Sequence, residues 1–385
     1  MKENIPEKQG HGLHNVMIYA DNAATTQLDP DAFEAMRPFL VGEYGNASQP
    51  YSFSRPVKKA LRASRETIAR CIGAEPEEIY FTSGGTESDN WAIKSVTKGP
   101  GSTVVSDVIE HHAVLNSLAS LESRGQKVIL LPVDRQGIIS QKDLARLAGG
   151  NICLVSVMTV NNEIGTIEPI SRLSEATHRM GALFHTDAVQ AVGHIPIDVK
   201  VLDVDMLSAS GHKFHGPKGI GFLYIRKGIE LTPFMDGGAQ ESGRRAGTEN
   251  IASIVGMATA LEKSCCKITA ATEKLTRMEE QFLKTLTDGG IDFMRNGAPE
   301  HVPGNINVSI RGANGEMLLH RLDLKGICVS TGSACDSVNT QVSHVIKAIQ
   351  VPEEYAEGTI RVSLGDMNEE ADAIKIANAI INILQ

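Results

Sequence analysis

From about residue 60 to 260 the chain alternates short apolar runs with amphipathic stretches, and this alternation restricts the fold more than any other feature. "EIYFTS" (78–83) reads as a strand and "ESDNWAIKSV" as the helix after it. "STVVSDV" then "HAVLNSLASLESRG", "KVILLPV" then "QKDLARLAG", and "ICLVSVMTV" then "ISRLSEATHRMG" repeat the pattern, which closes on "ALFHTDA". Strands that are apolar throughout are buried on both faces, and a helix after each is the crossover that parallel pairing requires. The expectation is an α/β chain with a mostly parallel sheet covered by helices. "MLSAS" and "GIGFLYIRK" stand close together and read as adjoining strands near the far edge of that sheet.

The texture changes after about residue 252. A long helical stretch leads away from the layered part. Beyond it the strands "NINVSI", "ICVST" and "TIRVSLG" interleave with the helices "GEMLLHRLDLKG", "SHVIKAIQV" and "EEADAIKIANAIINIL". This predicts a smaller α+β C-terminal domain, in keeping with a length of 385 residues, which exceeds a usual single domain. The expected division is a polar tail over 1–16, a large domain over 17–262 and a small one over 263–385. The first forty or so residues could pack against either part.

Charge and composition exclude several classes. A net charge of −9 with no basic run argues against nucleic acid and anionic membrane as partners. No apolar run is long enough to span a bilayer, and the polar N-terminal stretch lacks the apolar segment of a signal peptide. Six cysteines without CxxC spacing fit a reducing cytoplasm better than a disulfide scaffold.

Open α/β sheets bind ligands at the carboxyl ends of their strands, so those ends carry the functional reading. After "EIYFTS" comes "GGTES": Gly84, Gly85 and Thr86 at a strand-to-helix turn are either a helix cap or a cradle of N–H groups for an anion. After "ALFHT", Asp187 either caps the next segment or faces a cation, with Gln190 three residues on. His111 and His112 follow another strand, and Asn161 and Asn162 a third. Lys213 lies in "SASGHKFHGPKG", a bed of glycines and small polar residues with no call for a solvated cation. An anion cradle, an acid, a flat imidazole and an amine at neighbouring strand ends match the needs of pyridoxal phosphate: donors for its phosphate, an acid for its ring nitrogen and a lysine for its aldehyde.

The segments "DNAATT" (21–26), "SGGTESDN" (83–90), "NNEIGT" (161–166), "HTDAVQAVG" (185–193), "SGHKFHGPKGIG" (210–221), "RRAGTEN" (244–250) and "STGSAC" (330–335) resemble those of the cysteine desulfurases. These are pyridoxal phosphate enzymes of fold-type I in the class V aminotransferase group, and the likeness runs from about residue 17 to the C-terminus. The "SGSAC"-like loop is similar to that of the iron–sulfur and nitrogen-fixation branch. The resemblance implies that Lys213 holds the cofactor as a Schiff base, Asp187 holds its ring nitrogen protonated and Gln190 bonds its hydroxyl. It implies that His111 stacks on the ring and relays protons. Gly85, Thr86, Ser210 and His212 would bind the phosphate. Thr248 would reach the phosphate of the other subunit in a homodimer. Arg361, with Asn162 nearby, would hold the substrate carboxylate, and Cys335 would be the sulfur-accepting thiol.

Cys335 stands out from the residues alone. Its run "STGSACDSVNT" is small and polar, whereas Cys328 sits in an apolar strand, Cys71 and Cys153 have apolar neighbours, and Cys265 and Cys266 fall in a helix. A free thiol is a few per cent thiolate at neutral pH, and Asp336 disfavours the anion, so the site must supply a base or a positive field; His111 is the candidate. The implied reaction converts L-cysteine to L-alanine and leaves a persulfide on Cys335 for a sulfur-acceptor protein. Alternatives are a selenocysteine lyase or aminotransferase on the same cofactor, a non-catalytic binding module, and a metal site of His111, His112, His212 and His215. The sequence departs from the family pattern at Tyr51, Ser54 and Val342, near the entrance or loop base, positions that bear on substrate breadth and acceptor choice.

Overall fold

The computed structural model describes residues 17–96, 101–331 and 342–385. The described chain opens with β1 (Ile18–Tyr19), α1 (Pro30–Val41), α2 (Arg55–Ile72), β2 (Ile79–Thr82) and α3 (Gly85–Ser95). Next come β3 (Thr103–Asp107), α4 (His112–Glu122), β4 (Lys127–Leu131), α5 (Gln141–Ala145), β5 (Ile152–Ser156) and α6 (Ile170–Arg179). The layered part ends with β6 (Leu183–Asp187), α7 (Val199–Leu202), β7 (Met206–Ser210) and β8 (Gly221–Ile225). The helix α8 (Ile251–Asp288) leads to β9 (Phe293–Arg295), β10 (Asn305–Ile310), α9 (Gly315–Asp323) and β11 (Ile327–Cys328). The chain finishes with α10 (His344–Ala348), α11 (Glu353–Ala356), β12 (Thr359–Ser363) and α12 (Glu370–Leu384).

Seven strands form the large sheet in the order β2-β8-β7-β6-β5-β3-β4. All its pairs are parallel except those of β8, which runs against both β7 and β2. The reason is local: only residues 211–220 join β7 to β8, too short a link for the crossover helix that parallel pairing needs. The central strands are buried along their whole length, as their unbroken apolar character predicts. The "MLSAS" and "GIGFLYIRK" strands are indeed neighbours, with β2 placed outside them as the edge strand.

The smaller layer is an antiparallel sheet, β12-β10-β9, backed by α9 and α12 around Phe282, Leu286, Ile306, Val308, Leu318 and Ile376. Fully burying each such side chain contributes about 1.5–3 kcal/mol. The helix α8 joins the two layers without a break: Ile254, Met257 and Leu261 enter the core under the large sheet, and Met278, Phe282 and Leu286 enter that of the small one. The chain's beginning contacts both parts. β1 pairs in parallel with β11, whereas α1 packs along α8, where a methyl on Gly256 would lie 2.5 Å from Met36 Sδ. The intervening residues 21–28 therefore cross the mouth of the large sheet.

Candidate active site

Because β8 is reversed, β2 points the same way as β7, and the carboxyl ends of β2, β3, β5, β6 and β7 open on one edge. A cavity of about 470 Å³ lies there, within the range of small-molecule and cofactor sites. Lys213, Asp187, His111, Gln190, Asn162 and Arg361 all line it, and so do Gly85, Thr86, Ser210 and His212.

At the end of β2 the chain turns through Gly84 into α3, whose first N–H groups have no acceptor within the helix. The close approach here is built from glycine. A methyl on Gly85 would lie 2.5 Å from Val189 Cγ2, and one on Gly221 would lie 2.7 Å from Gly84 Cα. Neither Thr86 nor Ser88 caps the helix: Ser88 Oγ meets Thr82 Oγ1 at 2.8 Å and the Phe222 carbonyl at 3.1 Å, and Thr86 sits in the first turn facing the cavity. Glu87 accepts from the Ser83 N–H and holds Arg245 at 2.8 Å, which ties this turn to the 244–250 segment.

Asp187 ends β6. Its Oδ1 accepts from Val189 N at 2.9 Å, and no helix follows for it to cap, since the next is α7. Burial pushes its carboxyl up to about 6, against the opposing pull of the Val189 N–H and Lys213. A cationic ring nitrogen in front of it would reverse that shift.

Lys213 follows β7 in a short turn, Gly211–Lys213. Its Nζ donates to the carbonyls of Ala23 (2.6 Å) and Ala24 (2.9 Å), and Gln190 Nε2 also donates to Ala23. The 21–28 crossing thus holds the amine at the cavity wall. His212 Nδ1 lies 3.1 Å from Thr25 Oγ1, and burial with the Lys213 and Lys218 charges lowers its imidazole to about 4.

His111 precedes α4 and accepts at Nδ1 from the Ala113 N–H (3.1 Å), so the proton of the neutral ring resides on Nε2. Burial lowers it to about 4, with Lys213, His112 and His344 adding to the effect. The ring is therefore a neutral donor at neutral pH and supplies no imidazolium field.

Arg361 lies in β12, 2% exposed, not on a surface strand. Its Nη2 meets Asp21 Oδ1 at 2.7 Å and its Nη1 donates to the Asn162 carbonyl at 2.9 Å, while Nε is buried with no acceptor. Arg361 lines the cavity, and a buried guanidinium at a cavity wall is a place for a carboxylate.

Two expected residues stand apart. Thr248 is exposed and does not line the cavity of the single chain. Cys335, with Asp336, lies outside the described residues. Cys328 is half-buried in β11 rather than in the core, its thiol raised by burial. Val342 packs beside Ile109, Val345 and Ile346. Tyr51 is exposed, and Ser54 is buried with its Oγ unpartnered. Of the four histidines of the metal reading, His111, His112 and His212 line the cavity and His215 turns to the Gln27 carbonyl; among the described residues no group of three or more His, Cys, Asp or Glu could hold an ion.

Sequence reasoning passed over Asp21, Asp89 and His344, all tied to this site. Asp89 falls one turn after Gly85, on the face that the cradle already marked, and that i,i+4 spacing was the available signal.

The aminotransferase class-V family model matches residues 18–375. A protein named cysteine desulfurase IscS from Methanosarcina thermophila is 43% identical over 98% of this chain and 95% of its own. A solved NifS-like protein superposes with a TM-score of 0.90 at 35% identity, covering 96% of this chain and 99% of that one. A second solved structure, SspA in complex with cysteine, gives 0.81 at 34% identity over 90% of this chain and 99% of its own. The residues at the cavity fit the cofactor of that family: open helix N–H groups, a buried acid and an amine on one wall. The chain belongs to the class-V aminotransferase family, among its pyridoxal phosphate-dependent cysteine desulfurases.

Proposed function

We propose that this chain takes sulfur from L-cysteine with the residues of this one cavity and passes it on through Cys335. The observation that carries the reading is the convergence of Lys213, Asp187, the α3 N-terminus and Arg361, from four separate elements, on a single cavity. Pyridoxal phosphate, when bound, supplies an aldehyde that takes up an amino group and a ring that draws electrons from the α-carbon. The protein does the rest. The first N–H groups of α3, with Thr86, Ser210 and His212, hold the phosphate. Asp187 would keep a proton on the ring nitrogen, Gln190 would bond the ring hydroxyl, and His111 would serve the ring as a neutral donor. Arg361, with Asn162, holds the substrate carboxylate. Lys213 would be the residue that holds the aldehyde and, once freed, the base that moves the substrate's α-proton. The Cys335 thiolate attacks the substrate sulfur; the S–Cβ bond breaks, its electrons remain on carbon, and a proton completes L-alanine. The sulfur stays on Cys335 as a persulfide.

The acceptor is a protein, an iron–sulfur scaffold or a thiolation partner, and the relatives named IscS support the first. A homodimer in the cytoplasm is part of the same reading. Phe33, Leu40, Val41, Tyr44, Tyr51 and Phe53 expose a concentration of apolar surface on α1 and the segment after it, as an oligomer contact does, and exposed Thr248 is then free to reach the other subunit's phosphate. Among the described residues five cysteines are free and no helix is long and apolar enough to cross a membrane. The division into 17–262 and 263–385 belongs to this reading too, with α8 as the shared spine.

Cys335→Ala tests the reading. Alanine, sulfide and acceptor-bound sulfur are measured from L-cysteine for wild type and variant. The expected result is loss of transfer to acceptor with the cofactor still bound. Full transfer by the variant would fit a lyase or aminotransferase and end the proposal.

A further inference from the structure

The turn after β6 carries more than the acid. Asp187 is tied into it by the Val189 N–H at 2.9 Å. The Ala191 and Val192 N–H groups return to the Ala188 carbonyl, and those of His194 and Ile195 return to the Ala191 carbonyl. Ala188, Ala191 and Val192 are fully buried, so this hydrogen-bonded turn is also packed in place. Gln190 leaves it toward the cavity. His194 leaves it toward the lysine: its Nε2 lies 2.9 Å from the Lys213 carbonyl oxygen. A carbonyl only accepts, so Nε2 carries a proton and donates in either charge state of the ring.

The approach is close. Gly193, at φ +82°, brings the two backbones so near that a methyl on it would lie 2.7 Å from Phe214 Cβ. Phe214 is itself fully buried. Other elements hold the residues on either side of Lys213. Thr26 Oγ1 donates to the His212 carbonyl at 2.9 Å and accepts from His215 N at 2.9 Å. Ser264 of α8 donates to the Phe214 carbonyl at 3.3 Å. His194 takes the carbonyl of Lys213 itself. The side chain of Lys213 is a flexible four-carbon stem, and its Nζ must leave the Ala23 and Ala24 carbonyls to meet an aldehyde. An amine that moves needs a backbone that does not.

We infer that His194 is a positioning residue for Lys213: through the lysine's carbonyl it locks the 213–214 peptide to the turn that carries Asp187 and Gln190, so that amine, acid and amide address one ring in fixed register. This rests on the reading that Lys213 holds the cofactor aldehyde and Asp187 its ring nitrogen.

Two variants test it: His194→Gln, whose amide N–H reaches as far as Nε2, and His194→Leu, which keeps bulk and has no donor. In the holoenzyme, His194→Leu moves the pH midpoint of the bound cofactor's visible absorption by about 0.4–1 unit, the worth of one hydrogen bond. It lowers kcat for alanine release about ten- to hundredfold, as a misplaced reacting group does, and leaves KM for L-cysteine little changed. In the apoprotein it quickens amide hydrogen exchange over 211–216. His194→Gln stays with wild type in all of these. A wild-type midpoint in His194→Leu, a His194→Gln enzyme as displaced as His194→Leu, or a loss of Tm alone each overturns the inference. If His194→Leu does not fold, His194→Asn, whose amide falls short of the carbonyl, takes its place with the same expectations. Borohydride treatment of wild-type holoenzyme that leaves no mass adduct on the Lys213 peptide would instead bring down the reading beneath it.

Discussion

Replacing Arg361 by lysine tests its proposed hold on the substrate carboxylate by separating charge from shape. The guanidinium is spoken for on two sides, by Asp21 Oδ1 at 2.7 Å and the Asn162 carbonyl at 2.9 Å, and the buried Nε has no acceptor. Lysine retains the charge and can keep Asp21, but its compact ammonium cannot serve Asp21, Asn162 and a carboxylate in one plane. The substrate then loses about one charge-assisted hydrogen bond, about 1.5–3 kcal/mol, or about 10- to 150-fold in kcat/KM. The carboxylate does not react, so it is held alike before and during the chemistry, and the loss falls on KM rather than kcat. Alanine release against L-cysteine concentration, at saturating cofactor, reads the split. Arg361→Ala adds a stability cost, because the Asp21 carboxylate, 19% exposed, is left without its partner. That costs about 3 kcal/mol in denaturant unfolding, the low end for a broken buried pair. A lysine variant with unchanged KM, or one that loses kcat alone, would refute the assignment of Arg361 to the carboxylate.

Gly85→Ala drives a methyl to 2.5 Å from Val189 Cγ2, a stiff branched side chain, so the start of α3 must shift. Overpacking of about 1–3 kcal/mol lowers cofactor affinity about 5- to 150-fold in a spectrophotometric titration of apoprotein; an unaltered affinity would remove the phosphate cradle from α3. Asp187 makes the apoprotein sensitive to pH. Its folded value, raised to about 6, lies above the unfolded one, so its contribution is full below about pH 4 and is lost as pH rises through 6. That loss amounts to about 3 kcal/mol for two units. A ring cation opposite Asp187 cancels the loss, so the gap in Tm between holo- and apoprotein widens from about pH 4 to 7. His111, lowered to about 4, works with the opposite sign, its contribution present above about pH 6.5 and lost as pH falls toward 4. Parallel Tm curves for the two forms would contradict the pairing of Asp187 with a cation.

What could be read from the chain and what could not follows from the range of the forces involved. Unbroken apolar strands followed by helices announce a buried parallel sheet because burial on both faces is a property of each strand by itself. The adjacency of β7 and β8 was legible too, whereas the reversal of β8 was not read, although the ten-residue link between them leaves no room for a crossover. The strand-end glycines, acid and amine were found because each lies next to the strand that aims it. Asp21 and Arg361 are 340 residues apart, and nothing local in "DNAATT" or "TIRVSLG" says that one occupies the other. His185 reads as one more residue of an apolar strand, and only the packing of α3 over β6 and β7 gives it Asp89 and Ser208 for company. The features that escaped the sequence are therefore the second partners of functional groups. Those partners set charge state: a lone Asp187 would be an ordinary carboxylate, and a lone His111 would titrate near neutrality. Burial among chain-distant neighbours makes the first a poor anion until a cation arrives and the second a neutral donor. Asp187 is thus placed where a cationic partner is favoured, and the ring of the coenzyme supplies one.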